Sequence, residues 1–333
     1  MTLRGFLAKR LVYTVVLVFF VIVLNFIIFE AMPGYTGSLY NVLANPRLTT
    51  EQRNAQIALY GLSGTPWDRF VTYVRNLLTF QFGISYKDNA PVSNLIVTSG
   101  RLQNTLLLLG TSTVMAIVIG TLLGIVVSRK RGSPLDNLLV TASLTTFSLP
   151  TFFMGILLIF SFALTFQLFP PGGVAPSTWG GPGSPIPPLP QEIFIRLQHL
   201  FLPALTLTLF SYGGFLLLTR ATMMETLNED YILTARAKGL SGRIILLRHA
   251  FKNASLPLIT ASALSFGGLL GGAIITETVF NWDGLGMWLY TAVLYKDFPV
   301  MEAMFYITAL CVIAANLISD ILYGIVDPRV RYE

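Results

Sequence analysis

The sequence is poor in charge. Of 333 residues, 11% are Asp, Glu, Lys or Arg, against roughly 25% in a typical soluble domain. Sixteen acids and twenty-two bases cannot coat a water-soluble globule of this length. A soluble enzyme, a disordered chain and a fibrous chain are therefore excluded. Thiols and metal ligands are scarce too. The single cysteine, Cys311, excludes an intrachain disulfide, and with only His199 and His249 no Cys/His metal cluster can be assembled. No GxxxxGKS or GxxxxGKT phosphate cradle occurs, and no GxGxxG, HExxH or GxSxG. The chain is thus expected not to hydrolyse ATP itself, and to hold neither cofactor nor metal. Apolar residues are abundant: 53% of the chain is hydrophobic and the mean hydropathy is +0.67. That composition points to a polytopic membrane protein. The net charge of +6 then reflects basic loops on one side of a bilayer rather than a nucleic-acid surface.

A transmembrane helix needs about 20 predominantly apolar residues. Residues 11–29 and 102–128 are uncharged runs, the second stopped by Arg129-Lys130-Arg131. Residues 137–191 carry no charge at all, but 170–190 are dense in Pro and Gly and cannot form a lipid-facing helix. This leaves a third span at about 138–169, which Pro150 kinks or divides. Further spans are expected at about 200–219, 256–276 and 303–326. Six spans put both termini on one side. The segments on the terminal side hold fourteen Lys and Arg, the short loops opposite only Arg196 and Lys296. An inside N-terminus follows.

Two segments are not spans. Residues 31–100 exceed an ordinary connector and read as a small outer subdomain. Helices are expected there near 50–60, capped by Thr49 or Thr50, and near 66–78, capped by Thr65 with Pro66 at the first position. The other segment, 221–253, is the longest cytoplasmic loop. Asn228 is expected to cap a short helix with Glu229 and Asp230 in its first turn, where the macrodipole favours acids. Gly239 would stop that helix in the left-handed region. A basic amphipathic stretch, 244–251, follows. The loop suits docking into another protein's groove; a loop lying on anionic lipid fits the composition as well.

The loop reads Asp230-Tyr231-Ile232-Leu233-Thr234-Ala235-Arg236-Ala237-Lys238-Gly239-Leu240, then Leu247-Arg248-His249-Ala250, Asn253 and Leu256-Pro257. Met32-Pro33-Gly34, Tyr60-Gly61-Leu62, Phe82-Gly83-Ile84-Ser85, Thr105-Leu106, Glu277-Thr278-Val279-Phe280, Gly284-Leu285-Gly286 and Asp327-Pro328-Arg329 complete the pattern in order. In this the chain resembles the permease subunits of binding-protein-dependent ABC importers, of the dipeptide/oligopeptide/nickel type. It departs from them at Tyr35 and Thr36, where an acid is usual, and at Asp283, where proline is common. The resemblance implies an all-α, six-helix, type I importer permease. It would comprise a first span (1–30), an outer subdomain (31–100), a five-helix core (101–326) and a cytoplasmic tail (327–333). It implies four kinds of partner: a second homologous permease subunit, two ATP-binding subunits that carry the ATP and Mg, an extracytoplasmic substrate-binding protein, and membrane lipid. It implies import of di- or oligopeptides by alternating access, with oligosaccharide or nickel as other cargoes. Glu229, Asp230, Tyr231, Thr234, Ala235, Arg236, Ala237, Lys238, Gly239 and Leu240 would couple the spans to the ATPases. Ala235 and Ala237 would let the partner surface come close, and Arg236 and Lys238 would meet acidic groups on it.

Pro150, Tyr212, Phe266 and Glu277 are the candidates for a pathway or gate. Glu277 has a plainer reading, as an interfacial acid at the outer end of the fifth span. Gly120-x-x-x-Gly124 and the pairs Gly267-Gly268 and Gly271-Gly272 allow close helix approach, within the chain or between subunits. Asp320 reads as an interfacial polar contact in preference to a proton site. Asn25, Asn104 and Asn316 read as interhelical hydrogen-bonding groups. A secondary transporter would need ionisable groups near the midplane and internal repeats. A membrane-embedded enzyme would need a nucleophile–base pair or a metal set within its spans. Neither pattern is evident.

Overall fold

The computed structural model describes residues 3–31, 46, 48–59, 65–129, 131–179, 185–267 and 273–326. The motifs at Met32-Pro33-Gly34, Tyr60-Gly61-Leu62 and Asp327-Pro328-Arg329, and most of the glycine pairs after α10, lie outside them. The described residues are helical apart from turns and one isolated bridge, Ile84 with Pro91. The elements are α1 (Leu3–Phe26, extended by a π-helical turn Ile27–Ala31), α2 (Thr50–Leu59), α3 (Pro66–Leu78), α4 (Val92–Thr98) and α5 (Arg101–Ser128). Next come α6 (Pro134–Ser148), α7 (Thr151–Leu158, continued by Ile159–Thr165), α8 (Leu189–Leu227) and α9 (Asp230–Ala237). A helical turn at Gly242–Ile244 and a π-helical stretch at Ile245–Ala250 lead into α10 (Phe251–Gly267), followed by α11 (Ile274–Val279), α12 (Leu285–Tyr295) and α13 (Phe298–Val326).

Among the described residues, four helical stretches are long and apolar enough to cross a bilayer: Ala8–Phe29, Arg101–Ser128, Leu189–Leu227 and Phe298–Ile318. The expected third span is instead a pair, Pro134–Ser148 and Thr151–Thr165, bent by 105°. Pro150 ends the first helix outright. Its ring forces the preceding Leu149 into extended backbone (φ −81°, ψ 134°), and Pro150 itself starts α7 from outside the helical region (φ −57°, ψ 138°). The fourth span, expected at 200–219, is a single 39-residue helix. At about 1.5 Å per residue it far exceeds a hydrocarbon core of about 30 Å. Hydropathy had marked only its apolar middle. Pro190 sits in its first turn, where no N–H is needed. The expected fifth span, 256–276, falls on α10 as far as Gly267 and on the start of α11; residues 268–272 lie outside the described residues.

Helix α5 packs along α8 at the centre of the bundle, and two glycines set the spacing. A Cβ on Gly120 would stand 2.6 Å from Phe215 Cβ, and one on Gly124 2.5 Å from Thr219 Cβ. The Gly-x-x-x-Gly pair therefore serves contact within the chain. Helix α13 packs on α1 and α10, with Asn25 donating to Glu302 O at 3.3 Å and Arg10 paired to Asp320 at 2.9 Å. The start of the Pro/Gly-rich segment lies against protein: Gly173 donates to Phe280 O at 2.8 Å, and His199 Nδ1 lies 2.9 Å from Gly172 O.

The described part of 65–98 shares the core of the bundle. Tyr73, Leu77, Phe82 and Val92 cluster with Ile22, Trp288, Ala303 and Tyr306. Thr49 caps α2, its hydroxyl receiving Gln52 N–H at 3.3 Å. Thr65 and Asp68 form a reciprocal capping box on α3, and those hydrogen bonds hold the Asp68 carboxyl below the usual carboxylate range. The turn at 85–87 is pinned by Asp297, a buried carboxylate that accepts from Ser85 Oγ, from Tyr86 N–H at 3.0 Å and from Lys87 N–H at 3.1 Å.

Candidate functional site

The loop after α8 begins differently from the sequence expectation. Helix α8 runs on to Leu227, so Asn228 (φ −93°, ψ −4°) closes it instead of opening the next helix. Glu229 is the residue before α9, in extended backbone, and its side chain makes no cap hydrogen bond. Asp230 occupies the first turn. The far end is as expected: Gly239 has φ +75°. Gly239 N–H bonds Arg236 O at 2.9 Å and Leu240 N–H bonds Ala235 O at 3.4 Å, the two hydrogen bonds of a Schellman stop.

Helix α9 has two faces. Ile232 and Ala235 are buried against Met223, Ile245, Ala250 and Ala254, with Leu240 partly covered beside them. Ala235 therefore points into this chain, which overturns its expected place at the partner-facing surface. The outward face carries Tyr231, Leu233, Thr234, Arg236, Ala237 and Lys238. Leu233, at 58% exposure, is its most exposed large apolar side chain. Tyr231 accepts from Asn253 Nδ2 at 2.8 Å, tying the start of α9 to α10. Arg243, Ile244, Leu247 and Arg248 extend the exposed surface beyond Gly239. The helix is thus a rigid, basic, partly apolar knob fixed to the ends of α8 and α10.

A buried ion pair lies on the bundle side of this loop. Arg220 of α8 grips Asp136 of α6 through Nε at 2.7 Å and Nη2 at 2.8 Å, and Gly132 N–H adds a third donor at 2.9 Å. Asp136 is 1% exposed. Its signal in the sequence was Ser133-Pro134-Leu135-Asp136, a capped helix start with an acid at the third position. Its partner, 84 residues away, had none.

At the opposite end, Glu277 is fully buried and sits before the first turn of α12, not at an exposed interface. Its Oε2 accepts Met287 N–H at 2.9 Å and its Oε1 accepts Thr105 Oγ–H at 2.7 Å, while Thr105 Oγ accepts Leu285 N–H at 2.8 Å. A carboxyl group so placed accepts the orphan N–H groups at the start of a helix. A Cβ on Gly284 would stand 2.5 Å from the Glu277 carboxyl atoms, so a larger residue there would displace that side chain from its hydrogen bonds. Around it, Arg101 Nε pairs with Asp283 at 2.9 Å, Asn104 Nδ2 donates to Asp283 O at 2.8 Å, and Trp282 Nε1 donates to Asn104 O at 3.0 Å. The first turn of α5 is thereby locked to the α11–α12 hairpin. Asp283, standing where proline is common, gains the Arg101 partner.

The pathway candidates do not form one cluster. Pro150 is exposed at the bend between α6 and α7, Tyr212 is buried where α8 meets α5, and Glu277 is committed to α12. The side chain of Phe266 lies outside the described residues.

The geometry is that of a helical membrane protein bearing a basic, partly apolar knob at one end and a braced hairpin at the other. The family model for the binding-protein-dependent transport system inner membrane component matches residues 116–332. The chain belongs to this family. Full-length relatives agree with that assignment. Over 331 residues, 99% of this chain and the whole of the relative, it is 33% identical to the oligopeptide transport system permease protein AppB of Bacillus subtilis. It is also 33% identical to the dipeptide transport system permease protein DppB of Escherichia coli, covering 98% of this chain and 99% of the relative. The glutathione transport system permease protein GsiC of the same species is again 33% identical, with 99% of each chain covered.

Proposed function

We propose that this chain is the permease subunit of an ATP-driven importer of di- and oligopeptides and forms half of its translocation pathway. The observation that carries the cargo class is the end-to-end similarity to permeases named for oligopeptides, dipeptides and glutathione. The chain would pair with a second permease, two ATP-hydrolysing subunits and an extracytoplasmic binding protein, with both termini cytoplasmic. Nucleotide and Mg would sit in the hydrolysing subunits.

In this reading α9 is the mechanical input. Closure of the ATPases pushes the knob carrying Leu233, Arg236 and Lys238. Because α9 is packed on Met223 of α8 and Ala254 of α10, displacement passes directly into two long helices. The Asp136–Arg220 pair makes α6 follow α8. At the outer face, the Glu277 and Asp297 contacts make α12, the first turn of α5 and the 85–87 turn respond together, beneath a docked binding protein.

The test is uptake of a labelled dipeptide into proteoliposomes holding the complete transporter, its binding protein and internal ATP. Uptake that needs both ATP and binding protein, and is competed by unlabelled peptides, is expected. Uptake driven by a proton gradient without ATP, or competed by oligosaccharide or nickel but not by peptide, overturns the reading.

A further inference from the structure

A crevice of about 290 Å³ opens between α1, α10 and α13, at the end of the bundle where α1 begins and α13 ends. Arg10, Tyr13, Asn316 and Asp320 line its polar mouth, and Leu264 and Leu317 are among its apolar walls. The mouth carries both signs of charge. Arg10 Nη1 lies 2.9 Å from Asp320 Oδ2, yet the two side chains keep 41% and 27% of their surface exposed. Lys9 Nζ stands 5.9 Å from the Tyr13 ring centroid and adds a second cation beside the mouth.

Depth fixes the surroundings. Arg10 is the last charged residue before the apolar run of α1, so the mouth sits at headgroup level and the walls sit at the level of the acyl chains. Arg10 and Lys9 suit a phosphate. Asp320 and the Asn316 carbonyl suit an ammonium with N–H groups to donate. A purely anionic headgroup would meet Asp320 with no counter-charge of its own to offer it. A choline headgroup has no N–H to give.

We propose that this crevice binds an aminophospholipid of the ethanolamine type. The phosphate faces Arg10 and Lys9, the ammonium faces Asp320 and Asn316, and an acyl chain runs along Leu264 and Leu317. Only the choice of leaflet, the cytoplasmic one, rests on the proposed function. The binding measurement below needs no transport, so its failure leaves peptide uptake untouched.

The purified, delipidated assembly is titrated with phosphatidylethanolamine, phosphatidylcholine and phosphatidylglycerol, and retained lipid is read by native mass spectrometry. Ethanolamine lipid should bind about tenfold tighter than either other lipid. Asp320→Asn should remove the preference over choline lipid. Asn316→Leu, which leaves the Arg10–Asp320 pair in place, should weaken it if the first variant fails to assemble. Equal retention of all three lipids, or a preference unchanged in both variants, overturns the proposal. In membranes, a benzophenone amino acid at Tyr13 should crosslink to lipid. Crosslinking to the second permease subunit instead would make the crevice a protein interface and overturn it as well.

Discussion

Replacing Glu277 probes the braced hairpin most sharply. The carboxylate is fully buried and receives Thr105 Oγ–H at 2.7 Å and Met287 N–H at 2.9 Å. Glu277→Leu keeps roughly the same volume and removes both acceptors. Each donor left unsatisfied in the interior costs about 1–3 kcal/mol, so the variant should lose about 2–6 kcal/mol. Glu277→Gln retains one acceptor oxygen for Met287 N–H. Its amide can donate to Thr105 Oγ, whose hydroxyl then turns elsewhere, so its loss should be nearer 1 kcal/mol. Both variants are compared with wild type by thermal unfolding of the detergent-solubilised protein, with hydrogen exchange at residues 285–288 reporting local opening. The expected order is wild type, Gln, then Leu, with early exchange confined to the start of α12 in the Leu variant. A Leu variant as stable as the Gln variant would refute the argument that the carboxylate holds the hairpin by these hydrogen bonds.

Three further outcomes follow from other contacts. Gly124→Val places a side chain where Thr219 Cβ already stands 2.5 Å from an ideal Cβ; overpacking of about 1–3 kcal/mol should lower the unfolding temperature, and wild-type stability would contradict the close α5–α8 approach. Arg220→Gln leaves the 1%-exposed Asp136 with only the Gly132 N–H in place of its ion pair and should cost about 1–3 kcal/mol, whereas the apolar double variant Asp136→Leu/Arg220→Met should cost clearly less; equal losses would show that packing, not charge, is at stake. The Asp68 carboxyl is held below its ordinary value by hydrogen bonds from Thr65, so its stabilising effect is present above the unfolded-state value of about 3.9 and is lost as pH falls through the depressed folded value. Amide exchange in the first turn of α3 should accelerate over that acid range in wild type but not in Asp68→Asn, and identical profiles would contradict the capping role.

The sequence was most legible where composition or local chemistry decides the outcome. Apolar runs located α1, α5 and α13, and Thr49, Thr65 and Gly239 marked helix ends because caps and left-handed stops depend on one or two neighbouring residues. Three features escaped for physical reasons. Hydropathy reports the environment of a helix, not its hydrogen bonding, so it could not give the full length of α8. The Asn228 assignment failed because a residue favoured before a helix also closes one, and only backbone angles separate the two. Ala235 was placed on the wrong face because five of the eight residues of α9, Tyr231, Ile232, Leu233, Ala235 and Ala237, are apolar and lie all round the helix, leaving no stripe to orient it. The carboxyl groups of Glu277, Asp297 and Asp136 bind Thr105, Ser85 and Arg220 across 172, 212 and 84 residues, and no local pattern encodes such partners.

The central claim is that the outward face of α9 transmits the ATPase stroke, and Leu233→Asp tests it most directly. Leu233 is 58% exposed and lies outside the cluster that seats the helix, so the substitution should leave folding and membrane insertion unchanged. Ala235→Glu would instead bury a charge in that cluster and confuse coupling with stability. The measurement is peptide uptake together with ATP hydrolysis stimulated by the loaded binding protein, in proteoliposomes containing the complete transporter. The account predicts that Leu233→Asp, at wild-type unfolding temperature, either fails to retain the ATPases or hydrolyses ATP without importing peptide. Normal stimulated hydrolysis with normal uptake would contradict it.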